Sequence, residues 1–133
     1  MAAGQYTGTR FDEPEAGEQI ITIKKATSSD NSTVTGWQTI FGENPAIFTS
    51  ELDFASDNWV VDGVTGGGPG SWKIGFGFVI NATAKGIRGS GGSNISIKHI
   101  EIAGRGDDDE LGGTANDLLY LLSGRNYVIS HAY

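Results

Sequence analysis

Cysteine is absent from this 133-residue chain. Disulfides, thiolate zinc sites, iron–sulfur clusters and cysteine nucleophiles are therefore excluded, while a reducing and an oxidising compartment remain equally open. Proline is scarce at three residues, and nine Lys and Arg stand against 16 Asp and Glu, for a net charge of −7. Release of counterions from a polyanion needs a basic surface, so no nucleic-acid partner is expected. No apolar run approaches the ~20 residues that cross a bilayer. Met1 to Tyr6 lacks the basic start and apolar stretch of a secretion signal. Neither a membrane partner nor a signal peptide is expected.

Glycine is plentiful, with 21 residues and no G-x-y period, which excludes collagen and implies frequent tight turns. Six Phe, four Tyr, three Trp and many β-branched residues supply enough apolar surface for one globular domain over residues 1–133. Apolar residues alternate with polar ones in Ile21 to Ile23, Leu52 to Phe54, Trp59 to Val61, Ile95 to Ile97 and Tyr127 to Ile129. A period of two is the mark of strands, so the chain reads as all-β with little or no helix. Leu118 to Leu122 has helix-favouring leucines, but the run is short and reads as a buried strand.

Internal repetition sharpens this. Asn58 to Val64, Asn94 to Ile100 and Asn126 to Ala132 align without gaps, their asparagines 36 and 32 positions apart. Ile20 to Ala26 is a weaker copy, and each interval holds a second apolar strand, around Ile47 to Phe54, Phe76 to Ile80 and Leu118 to Leu122. A variable period of this length predicts stacked coils of parallel strands, with extra residues leaving as loops. The expected fold is a right-handed single-stranded parallel β-helix of about three to four coils. The coils fall near residues 16–45, 46–80, 81–122 and an incomplete 123–133. In it Asn58, Asn94 and Asn126 form a structural ladder of stacked amides, because asparagine tolerates left-handed geometry at a bend. An antiparallel sandwich sharing only a turn residue is the alternative.

Four segments carry a resemblance. Gly4 to Gly8 is similar to the "pGtY" motif, Ala16 to Ala26 to the "sGt…pItIka" strand, Trp59 to Gly63 to the "w.i.G" element, and Ser93 to Ala103 to the "sNItIrnveI" rung. These motifs occur in right-handed parallel β-helix proteins of the pectate-lyase and chondroitinase-B type. The resemblance implies an extracellular or cell-surface carbohydrate-active module that binds or cleaves an acidic polysaccharide, by lyase-like or hydrolase-like chemistry if it is an enzyme. It covers most of the chain and speaks to fold more than to activity. In such families a capping segment precedes the first motif, so the chain resembles an N-terminal fragment or a minimal version with open ends. Open ends imply the alternative function: a non-catalytic assembly protein that self-associates by stacking end to end.

Candidate chemistry falls on the outer loops. Asp107, Asp108, Asp109 and Glu110 put four carboxylates between glycines, a donor set that suits Ca²⁺. Calcium near the strand–loop edge is what the resemblance implies for neutralising a uronate carboxylate. A solvated acidic loop is the plainer reading. Lys98 is the candidate base for proton abstraction, although its alignment with Asp62 also predicts an ordinary ion pair between stacked strands. His99 aligns with His131, and the two imidazoles could bind a metal or shuttle protons, or serve only at the turn. Trp72 offers a flat face to a sugar with Lys73 beside it, unless the indole merely packs its loop.

Overall fold

The computed structural model describes residues 1–14, 18–82, 85–103 and 118–133. Eleven strands and two short helices follow in the order β1 (Gly4–Tyr6), β2 (Arg10–Phe11), β3 (Ile21–Lys24), α1 (Ser28–Asn31), α2 (Ile40–Glu43), β4 (Ala46–Phe48), β5 (Leu52–Phe54), β6 (Trp59–Asp62), β7 (Phe78–Ile80), β8 (Ile87–Ser90), β9 (Ile95–Ile102), β10 (Leu119–Ser123) and β11 (Tyr127–Ala132). All strand pairs among the described residues are parallel.

The strands form two sheets. One has seven strands in the order β1-β4-β7-β9-β6-β3, with β11 also paired to β9, and the other has four in the order β10-β8-β5-β2. This corrects the expected single-stranded β-helix solenoid. The physical reason lies in β9, which runs unbroken for eight residues. Its first half pairs with β6 and its second half with β7, so two rows of strands that a solenoid would keep on separate faces join into one curled sheet. Helix is confined, among the described residues, to the two short turns α1 and α2. Thr27 starts α1 by accepting the Asp30 amide on its hydroxyl, which satisfies one of the donors left free at a helix start.

Within the curled sheet, Val61, Ile97 and Ile129 are in register, as are Ile95 and Tyr127. Asn58, Asn94 and Asn126 precede these strands with φ of 65°, 59° and 59°. The Asn94 amide donates to Asn58 Oδ1 at 2.9 Å, and that of Asn126 to Asn94 Oδ1 at 2.8 Å. In the four-stranded sheet Phe11, Phe54, Gly89 and Leu121 share one line and Leu52, Ile87 and Leu119 another. Alternate residues face the space between the sheets, where Leu52, Phe54, Val61, Phe78, Ile87, Ile97 and Ile100 are fully buried. Stacked aromatics extend this core: Phe11 and Phe54 lie 4.7 Å apart, nearly parallel, with Trp59 tilted against Phe11 at the same distance.

Gly89 is a required gap in that packing. A Cβ there would sit 2.5 Å from the hydroxyl of Tyr127, whose ring crosses from the other sheet to fill the space. Burial first, and then the charges of Asp53 and Asp57, raise the Tyr127 phenol above its ordinary value.

Core position decides the cost of truncation. Ile97→Ala should lower the unfolding free energy by about 2–5 kcal/mol in denaturant melts. Ile20→Ala, at an exposed position, should change it by no more than about 0.5 kcal/mol.

Candidate functional site

The end of β6 and the bend of β9 bring four titratable side chains together. Asp62, Lys98 and Ser130 occupy one outward row, because β6, β9 and β11 are in register there. His99 and His131 follow that row with φ of 54° and 50°, a left-handed conformation in which histidine is enriched among non-glycine residues. This bend turns both imidazoles the same way. Their ring centroids lie 4.8 Å apart with the planes inclined at 31°.

Asp62 holds the cluster. Its Oδ1 accepts the Val64 amide at 2.8 Å and lies 2.7 Å from His99 Nδ1, while Oδ2 lies 3.6 Å from Lys98 Nζ. An ionised carboxylate only accepts hydrogen bonds, so Nδ1 carries the proton, and Nε2 is the acceptor nitrogen when the ring is neutral. Such a pair orients an imidazole as a general base would need. Burial works to raise the Asp62 carboxyl. The hydrogen bonds from His99 and Val64, with the charges of His99 and Lys98, outweigh it and hold the group below its ordinary value of 3.8. Lys98 and His99, the two candidate catalytic residues, thus converge on one carboxylate.

The loop joining β6 to β7 reaches the same corner. A turn closes it, with the Gly67 amide donating to the Ser71 carbonyl at 2.9 Å and the Ser71 amide to Gly68 at 2.7 Å. Gly67 lies so close to His131 that a Cβ would stand 2.5 Å from the His131 carbonyl oxygen. Lys73 Nζ sits 5.8 Å from the centroid of the Tyr133 ring, within cation–π range. Trp72 projects outward and is 63% exposed, so it does not pack the loop down. Trp72 and Lys73 therefore belong to the corner that holds His131 and Tyr133. Tyr133 carried no signal in the sequence, because only the fold sets it beside Lys73.

Asp107, Asp108, Asp109 and Glu110 lie outside the described residues. Among the described residues, no group of three or more His, Cys, Asp or Glu is disposed to hold a metal ion. No described helix is long and apolar enough to cross a membrane.

A second polar feature lies on the outer face of the four-stranded sheet. Arg10, Asp53, Arg88 and Tyr120 form one row across β2, β5, β8 and β10. The buried Asp53 carboxylate accepts Arg10 Nη1 on one oxygen and the Ser90 hydroxyl on the other. Arg88 Nη1 stands 3.6 Å from Glu51 Oε1, beyond hydrogen-bond length. A groove of about 470 Å³ opens here, lined by Thr9, Arg10, Ser50, Glu51, Asp53 and Arg88. Reading it from sequence needs β2 and β8, which are too short and too glycine-interrupted to register as alternating strands.

Comparison with known proteins adds no relative: no family model, curated protein or solved structure matches the chain.

Because its folded pKa is depressed, Asp62 adds stability that is complete above the unfolded value of 3.8 and is lost as pH falls through the lower folded value. Asp62→Asn should accordingly be less stable than the parent at pH 6. The difference should shrink steadily in melts taken below the unfolded-state pKa, whereas a constant difference would show that the charged pairings contribute nothing.

Proposed function

We propose that this protein is a glycan-binding module that takes an acidic polysaccharide against the corner built from the β6–β7 loop and the end of β11. The observation that carries the reading is the exposed Trp72 indole next to Lys73, whose ammonium lies over the Tyr133 ring. A sugar ring presents C–H groups that favour an aromatic face, and a uronate adds a carboxylate that favours a nearby cation. Among the described residues Lys73 forms no ion pair, which distinguishes it from Lys98, held by Asp62, and Lys24, held by Asp30.

The groove on the four-stranded sheet is a weaker candidate, since its two arginines face two carboxylates and leave no net charge for an anion. The proposal concerns binding, because the observation that carries it is an exposed aromatic face beside a cation and not a reacting group. The overall charge of −7 opposes an anionic ligand. Calcium is proposed as the bridge that offsets this repulsion, with Asp107 to Glu110 as its oxygen donors.

Calorimetric titration with alginate or pectin oligosaccharides, with and without Ca²⁺, tests the reading. Binding is expected, strengthened by calcium. Trp72→Ala should weaken it about tenfold, the equivalent of one lost stacking contact. No heat under either condition, or an unchanged affinity in Trp72→Ala, would refute the assignment.

A further inference from the structure

We propose that the groove on the outer face of the four-stranded sheet is a second ligand site, which takes an uncharged, hydroxyl-rich ligand of the size of a neutral disaccharide. The inference is independent of the corner at Trp72 and rests on what the groove contains and what it lacks. Its walls are described residues of β2, β5 and β8 and of the segments that lead into β2 and β5. None of them is Val, Leu, Ile, Met or an aromatic residue. Burial of apolar surface, the usual source of affinity in a pocket, therefore has little to act on, and an apolar ligand is excluded.

Charge narrows the class further. Arg10 and Arg88 supply two positive charges, and Asp53 and Glu51 two negative ones. An ion of either sign would meet like charge as closely as opposite charge. An uncharged ligand avoids that conflict.

Hydrogen bonding selects among uncharged ligands. A guanidinium only donates and an ionised carboxylate only accepts, so Arg10, Asp53 and Arg88 offer donor, acceptor and donor on successive strands at intervals of about 4.8 Å. Glu51, two residues before Asp53, adds an acceptor to the same groove. The Ser50 hydroxyl accepts the Gly8 amide at 2.7 Å, which leaves its own hydrogen for an acceptor on the ligand. A hydroxyl both donates and accepts, so neighbouring hydroxyls on a sugar ring can bridge a guanidinium and the carboxylate beside it.

Two of the charged groups are fixed and two face the groove unjoined. Asp53, its side chain 7% exposed, is held by Arg10 and by the Ser90 hydroxyl. Arg88 and Glu51 are each 34% exposed, and at 3.6 Å they do not hydrogen-bond to one another. Arg88 Nε is buried and has no hydrogen-bond partner among the described residues, a mismatch that folded proteins seldom leave. The volume of about 470 Å³ falls within the range of small-ligand sites.

Titration of the isotopically labelled full chain with maltose, cellobiose and lactose, followed by its amide resonances, tests the site, with digalacturonate as the charged counterpart. At least one neutral disaccharide should shift the amides of residues 8–10, 50–53 and 88, and should bind there about tenfold more tightly than digalacturonate. Arg88→Ala, with the circular dichroism spectrum of the parent, should weaken that binding about tenfold. Glu51→Gln leaves one positive charge in excess and should narrow or reverse the preference for the neutral sugar. Trp72→Ala should leave these shifts unchanged, which separates the groove from the corner. The proposal is overturned if no neutral disaccharide shifts those amides, or if digalacturonate shifts them as readily in the parent. A response that neither Arg88→Ala nor Glu51→Gln alters would overturn it as well.

Discussion

Asn58, Asn94 and Asn126 take left-handed backbone conformations and pass a hydrogen bond from one amide to the next, so that β6, β9 and β11 leave the bend at the same level. A parallel pair has no tight turn to set its alignment, and a slip of one residue would turn every inward side chain outward. The asparagine line prevents that slip. From it follow the burial of Val61 and Ile97 on one face and the outward alignment of Asp62 with Lys98 and Ser130 on the other. Core and candidate site are opposite faces of one register.

The corner at His99 shows how this register acquires chemistry. A strand that kept to extended geometry would send residue 99 to the face opposite Lys98. Left-handed φ at His99 breaks that alternation and brings the imidazole to the carboxylate that also faces Lys98. The same bend at His131 places a second ring against the first, and the β6–β7 loop packs against the His131 backbone through Gly67. Polar groups from three segments of the chain thereby share one place, with Trp72 outside them in contact with solvent.

Much of the strand-level structure was legible in the residues. Period-two alternation marks β3, β5, β6, β9 and β11, and the ungapped alignment of the three asparagine-led segments is the parallel register of β6, β9 and β11. The overall architecture was not. Nothing in Ile95 to Ile102 signals that one strand continues through a left-handed residue and joins two rows, and that continuity makes a curled sheet in place of a solenoid. β8 was missed because Ile87 to Ser90 contains a single large apolar residue, its second inward position being Gly89. With β8 unread, the row through Arg10, Asp53 and Arg88 could not be assembled. Of the candidate site, the Asp62–Lys98 pairing followed from alignment alone, whereas the meeting of Lys73 with Tyr133 depends on where a long loop comes to rest.

The gap at Gly89 has a meaning for the history of the sequence. Two positions on different sheets, far apart along the chain, occupy one shared volume: the side chain missing at 89 is the room that the phenol of Tyr127 fills. Neither position can drift alone, since enlarging the first evicts the ring and shrinking the second leaves a void. Natural variants of this fold should therefore exchange bulk between the two sites in compensating pairs.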